Sequence, residues 1–242
     1  MAFFGELYLR STLPFLSPEV TAREVAYLAS VFDRLEGDGP IADVGCGHGR
    51  HAGRLGSVLR RRRSVLGFDS DALSLAERER DFSAVRADFF RLPLAARSLA
   101  GAYAWYSTLF VFEDSAQLPL FRELARCVRP GGMLIFQTVP YDRVAREPIA
   151  SYDGELPGGV HLIERSTFDP RSGRDNGYRE LSLPDGRVLS GHFFIRYYPL
   201  SQHSRLLEEA GFRVQWVHGG VDGAPLTTSS ADLIIGAERV NG

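Results

Sequence analysis

Lysine is missing from this 242-residue chain, and cysteine, methionine and tryptophan occur twice each. Every basic side chain is therefore an arginine or a histidine, a compositional habit from which no function follows. Two cysteines, Cys46 and Cys127, are too few for a disulfide framework, and Cys46 sits inside a glycine turn, a poor place for a bridge. Free thiols and a reducing cytoplasm are expected. No apolar run approaches the roughly 18 residues of a membrane span, and the first ten residues lack a basic-then-apolar leader pattern. The formal net charge is only -2, so bulk charge gives no reason to expect nucleic acid as a partner. The one basic cluster, Arg60-Arg61-Arg62-Arg63, falls where a helix should end and reads as a solvated complement to its dipole. Repeats and low-complexity segments are absent.

What is present centres on Ile41-Ala42-Asp43-Val44-Gly45-Cys46-Gly47-His48-Gly49-Arg50. It reads as a short buried strand entering a tight glycine turn, with a helix beyond. Alternate glycines permit close backbone approach to a ligand, and amides at a helix start gather positive potential. Asp43 adds a carboxylate. Together they suit a ligand bearing both an ammonium and a carboxylate.

Upstream, an aromatic arm (Phe3, Phe4, Tyr8, Phe15) is expected to pack on something. Ser17-Pro18-Glu19 then starts a helix with Val25, Leu28, Ala29, Phe32 and Leu35 on one face. Downstream of the turn come a helix marked by Ala52, Leu55, Val58 and Leu59, a strand at 64–69 and a charged helix at 71–80. Strands at 83–88 and 102–109, a helix at 115–129, and a fifth strand at 133–138 after Pro130-Gly131-Gly132 follow. Alternation at short intervals implies a doubly wound α/β sheet, mostly parallel. Strands at 161–168, 178–183 and 187–197, with a hairpin at Asp185-Gly186, form an antiparallel insertion. A helix at 201–210 closed by Gly211 precedes two last strands, 212–218 and 232–240, expected as an antiparallel pair at one edge. The expected division is one domain over 1–242: arm and helix 1–36, core 37–142 and 199–242, and β lid 143–198.

In such sheets ligands bind outside the carboxyl ends of the strands. Asp43, Gly45, Cys46 and Gly47 end the first strand. Asp69 and Ser70 end the second, where an acid can hold ribose hydroxyls. Asp88 and Phe89 end the third, an edge and a face for adenine. Trp105 and Tyr106 end the fourth as an aromatic wall. Asp43 would repel a pyrophosphate and pair with an ammonium, which separates S-adenosylmethionine from a nicotinamide dinucleotide.

These residues resemble the class I S-adenosylmethionine-dependent methyltransferases. Val44 through Arg50 is similar to their signature loop, Asp69 to their ribose acid, Asp88-Phe89 to their adenine pair, and Arg129-Pro130-Gly131-Gly132 to the turn before their fifth strand. The resemblance spans roughly 17–140 and 199–240. It implies a Rossmann-like, seven-stranded sheet with a reversed last strand, and S-adenosylmethionine as cofactor. The insertion resembles the antiparallel lid of bacterial small-molecule N- and O-methyltransferases, amino-sugar N-methyltransferases among them. In that group an N-terminal tyrosine closes over the cofactor, which implies the same role for Tyr8.

A sulfonium methyl is already activated, so alignment in a dry pocket is the main task. An amine acceptor needs no protein base; a hydroxyl does. Tyr8, Tyr106 and His203 are the candidate catalytic groups, with His161 and His192 as further bases or orienters. Tyr8, Tyr141, Arg196 and Tyr198 are candidates for the acceptor, while Phe193 and Phe194 read as packing. His48 and His51 flank the loop as solvating or capping groups. No metal is expected, because the fourth strand ends without a carboxylate and the histidines lack ligand spacing. The expected acceptor is a small metabolite taking the methyl at N or O, without nucleic acid or membrane, and with a homodimer through the lid as a further expectation. RNA or protein methylation, a cofactor-binding protein that transfers nothing, and a nicotinamide reductase stay open as alternatives.

Overall fold

The computed structural model describes residues 4–59, 63–78, 82–148 and 151–240. Phe3 and three of the four clustered arginines, Arg60, Arg61 and Arg62, lie outside them. After α1 (Glu6–Thr12), Leu13–Phe15 form a 3-10 turn and α2 (Pro18–Phe32) follows. Ser17 caps α2, its hydroxyl accepting from the Val20 amide at 3.2 Å. Then come β1 (Ile41–Val44), α3 (Ala52–Val58), β2 (Val65–Asp69), α4 (Ala72–Ala76), β3 (Ser83–Arg86), β4 (Leu99–Ala104), α5 (Asp114–Cys127) and β5 (Val128–Thr138). Next are α6 (Tyr141–Arg146), β6 (Tyr152–Leu156), β7 (Val160–Asp169), β8 (Arg174–Ser182) and β9 (Val188–Arg196). The chain closes with α7 (Leu200–Ala210), β10 (Phe212–His218) and β11 (Leu233–Arg239).

One sheet has seven strands in the order β10-β11-β5-β4-β1-β2-β3, and the other has four, β6-β7-β8-β9. In the larger sheet β1 pairs in parallel with β2 and β4, whereas β11 runs antiparallel to both β5 and β10. This is the mostly parallel, Rossmann-like sheet with a reversed strand and an antiparallel lid inserted after the fifth strand. Crossover helices bury both faces of the parallel strands, so β1 and β4 are buried at every position.

Several expectations are corrected by local chemistry. The fourth strand is Leu99–Ala104, ending before 105, because Tyr106 and Ser107 take positive φ angles of 53° and 57° and leave the ladder. The strand expected at 133–138 begins at Val128 and absorbs the Arg-Pro-Gly-Gly turn. A further strand, Tyr152–Leu156, carries little sequence signal because it alternates poorly, pairing Asp153 and Glu155 with Ile163 and His161. The charged helix at 71–80 is Ala72–Ala76, and positions 79 and 80 fall outside the described residues. Arg63 is buried, not solvated: it donates to the carbonyls of Leu35 and Gly37 at 2.7 Å each, closing the chain behind α2.

The arm packs on the lid. Leu7 of α1 shares a cluster with Leu156, Val160, Leu162, Leu181 and Leu183. Arg179 of β8 donates to the hydroxyls of Ser11 and Thr12 at 2.7 and 3.0 Å. The arm, packed on the lid, thus lies over the carboxyl ends of the parallel strands.

His203 is a core residue. Its ring lies among Phe110, Phe136 and Tyr198, with centroids 5.0 to 5.5 Å away, and neither ring nitrogen has a hydrogen-bond partner among the described residues. Burial, reinforced by Arg196, depresses its pKa to about 3. Replacing His203→Leu is expected to raise the melting temperature by a few degrees, on the order of 1–2 kcal/mol, by ending the burial of two unpaired nitrogens. Calorimetry checks this, and a lower melting temperature would mean that the imidazole is bonded after all.

Candidate active site

The glycine turn is held from below by the sheet. The amides of Gly45 and Cys46 both donate to the Phe68 carbonyl, at 2.7 and 3.1 Å. Gly45 has φ 79°, and a Cβ there would lie 2.2 Å from the Thr108 methyl, so the close approach of the two loops requires glycine. Gly47 has φ 53° and open space where a Cβ would stand. Its amide donates to Asp69 Oδ2 at 2.8 Å, while the Asp71 amide donates to Asp69 Oδ1 at 2.9 Å. Two backbone donors thus aim the second-strand carboxylate, and each oxygen keeps a lone pair for a ligand hydroxyl.

A cavity of about 470 Å³ opens above this turn, within the usual size range of small-molecule sites. Asp43, Gly45, Cys46, Gly47, Asp69, Ser70, Phe89, Trp105 and Tyr106 all line it. Tyr8 roofs it, together with Phe4, Thr12, Leu13 and Leu16 of the arm. Asp88 is exposed next to Phe89 and accepts from the Phe90 amide at 3.0 Å. A larger open groove of about 1220 Å³ runs between α2 and the β10–β11 loop, but it contains neither the glycine turn nor the strand-end acids.

Asp43 is 3% exposed and its Oδ2 has no hydrogen-bond partner among the described residues. Burial raises its carboxyl to about 7, with Asp69 adding to the shift and Arg50 opposing it. An orphaned buried carboxylate oxygen in a cavity wall fits a cationic ligand group, and the space over Gly47 fits a ligand lying against backbone. Burial likewise raises the Tyr8 and Cys46 pKa values, and takes Tyr106 to about 12, where Glu24 adds to the rise.

Other candidates stand elsewhere. His203 is in the core, as described. Arg196 is buried under the base of the lid, where it pairs with Asp114 at 3.2 Å and stacks on Tyr198 at 4.0 Å; neither residue lines the cavity. Tyr141 is turned away, its hydroxyl donating to the Pro170 carbonyl at 3.1 Å. His161 lies on the outside of the lid between Asp153 and Glu155. His51 does line the cavity, but it does not solvate the loop: it is buried, and its Nε2 donates to Glu24 at 2.9 Å.

Glu24 is the residue that motif reading missed. It accepts from Arg50, His51, Trp105 and Tyr106. A signal existed, since position 24 falls on the buried stripe of α2 with Thr21, Val25 and Leu28, and a carboxylate there demands partners.

Residues 41–132 match the methyltransferase domain family. A search of curated protein sequences finds no match. Among solved structures, the CcbJ methyltransferase of Streptomyces caelestis is 18% identical, with a TM-score of 0.75, and covers 91% of this chain and 90% of its own. An S-adenosylmethionine-dependent methyltransferase of Clostridium acetobutylicum is 11% identical, with a TM-score of 0.79 and 97% of each chain covered. An amino pentose methyltransferase of Micromonospora echinaspora, involved in calicheamicin biosynthesis and solved with S-adenosylmethionine bound, is 17% identical, with a TM-score of 0.69 and 98% of each chain covered.

Residues 41–132 are thus a methyltransferase domain, set in the fold of the class I methyltransferases. The chain is an S-adenosylmethionine-dependent methyltransferase, with S-adenosylmethionine as its cofactor.

The raised Asp43 carboxyl sets a pH dependence. An ammonium pairs with the ionised form, which is lost as pH falls through about 7. The dissociation constant for S-adenosylhomocysteine is therefore expected to rise by about tenfold per pH unit below that point. Asp43→Asn should bind more weakly with a flat profile; calorimetric titration from pH 5.5 to 8.5, each about a unit and a half from the midpoint, reads both.

Proposed function

We propose that the enzyme methylates an amine nitrogen of a small metabolite, a compound of the amino-sugar type found in natural-product biosynthesis. The observation that carries this is the roof. The cavity is covered by Phe4, Tyr8, Thr12, Leu13 and Leu16 of an arm that is bonded to the lid. A polymer needs an open trough along the strand ends, whereas a covered chamber suits a compound that can be enclosed. The solved neighbours that are named as an amino pentose methyltransferase and a sugar N-methyltransferase support the same class.

The cofactor supplies an activated methyl group, so this chain's residues need only bind, orient and exclude water. Asp43 takes the ammonium end, Asp69 the ribose, and Phe89 and Phe112 the adenine. Tyr8 and Tyr106 hold their protons, because their phenols are raised, and His51 is committed to Glu24. These groups suit a neutral amine, whose lone pair attacks without a protein base. An open groove of about 810 Å³ shares Val111 and Phe112 with the cofactor cavity and is lined by Phe90, Phe193 and Phe194 with Arg165, Tyr178 and His192. We assign it to the body of the acceptor.

Transfer to a hydroxyl is the second reading, and His48 in the cavity wall favours it. Incubation with methyl-labelled S-adenosylmethionine and panels of small amines, small alcohols, total RNA and protein decides the matter. Label is expected in the amines, and label in RNA or protein would overturn the small-molecule reading. His48→Asn should leave N-transfer intact, whereas a fall of about 10²- to 10⁴-fold in kcat would identify His48 as a base for O-transfer.

The lid face opposite α1 carries Ile163, Glu180 and Val188, the last 59% exposed. We propose that a second copy docks there as a homodimer. Sedimentation velocity should give a dimer that Val188→Arg dissociates; a monomeric wild type would refute it.

A further inference from the structure

Four donors from two different strand ends converge on the Glu24 carboxylate. Its Oε2 accepts from Arg50 Nη1 at 2.5 Å and from His51 Nε2 at 2.9 Å. Its Oε1 accepts from Trp105 Nε1 at 3.0 Å and from the Tyr106 hydroxyl at 3.1 Å. Arg50 and His51 follow β1, Trp105 and Tyr106 follow β4, and β1 and β4 are hydrogen-bonded neighbours. One side chain of α2 therefore ties together two walls of the cofactor cavity.

This has two local consequences. Arg50 is 8% exposed, with Nη1 shared between Glu24 and Thr21, and its Nη2 is buried without a partner among the described residues. The guanidinium lines the cavity and lies 4.7 Å from the centre of the Tyr106 ring. Tyr106 and Ser107, for their part, are consecutive left-handed residues without glycine. Such a conformation persists only where the surroundings over-determine it. The Tyr106 amide is held by Gln137 Oε1 at 2.8 Å, and its ring end by Glu24.

We propose that Glu24 is a positioning residue for methyl transfer: it presents Arg50 Nη2 to the carboxylate of the cofactor and holds the Trp105–Tyr106 wall in place. The proposal rests on reading the cavity as the S-adenosylmethionine site. Glu24 itself touches no ligand. The role requires a carboxylate, because all four partners are donors. A glutamine would offer one acceptor oxygen and turn an amide nitrogen toward two of them. Burial alone would raise the Glu24 carboxyl, but the bonds from His51 and Arg50 outweigh it and bring it down to about 2, so the charge is present throughout the working range.

The test uses the fact that the chain has two tryptophans. Trp216→Phe leaves Trp105 alone, and its indole N–H resonance reports the bond to Glu24. In that background Glu24→Gln is expected to shift the resonance upfield, to weaken S-adenosylhomocysteine binding by about tenfold or more, the effect of losing one charge-assisted bond, and to lower kcat. Glu24→Asp keeps the charge on a shorter stem and should recover part of the affinity. A merely structural role would lower the melting temperature and leave the affinity of the folded protein unchanged. Affinity within about twofold of the parent, with the indole resonance shifted, overturns the proposal. If Glu24→Gln does not fold, Glu24→Asp carries the same comparison. If the parent itself fails to bind S-adenosylhomocysteine, the cofactor reading fails instead, which is a different result.

Discussion

A carboxylate buried in a protein must be matched by donors, and the match constrains every element that supplies one. Glu24 draws its four donors from the loop after β1 and the turn after β4. The loop can therefore not shift against the turn without exposing a buried charge. Asp69 does the same on the other side, accepting from Gly47 and Asp71. The glycine turn is thus pinned from both flanks by carboxylates that accept from this chain's own groups, while Asp43 between them keeps an unpartnered oxygen. Of the three, Glu24 is spent wholly on building the site, whereas Asp69 and Asp43 line the cavity with acceptor capacity to spare.

The second constraint is the roof. Parallel strands with short connections leave their carboxyl ends open to solvent, and here the arm and lid close them. The closure is partly apolar, through Leu7 and the lid leucines, and partly polar, through Arg179 on Ser11 and Thr12 and Arg187 on Glu6. The Arg187–Glu6 pair is exposed and screened, so it adds little stability; the buried leucines hold the layers together. The sheet decides where the cofactor goes, and the layer above decides what can reach it.

Much of this was readable in order along the chain. The α/β alternation, the reversed edge pair, the Asp-Gly hairpin and the acids at three strand ends all rest on local patterns of two to four residues. The sequence pattern marks only three of the lid's four strands, because Tyr152–Leu156 carries acidic side chains on its outer face and lacks an apolar alternation. The acceptor candidates fared differently. Arg196, Tyr198 and Tyr141 sit at the lid's base and outer edge, and side-chain direction on a twisted insertion depends on register, which no local pattern specifies.

By itself, the sequence determined the class of fold and the cofactor turn, since helix and strand periods, glycines at positive φ and capping residues act within a few positions of one another. Only the tertiary structure decided that Glu24, and not a solvated edge of helix α2, would meet Arg50, His51, Trp105 and Tyr106, which lie from 26 to 82 positions away. It likewise placed His203 in the core. Such contacts arise when separate elements are packed, and their energies come from burial and charge matching between groups that share no local sequence signal. The glycine turn is legible in the sequence, and the packing around it sets how that turn is held.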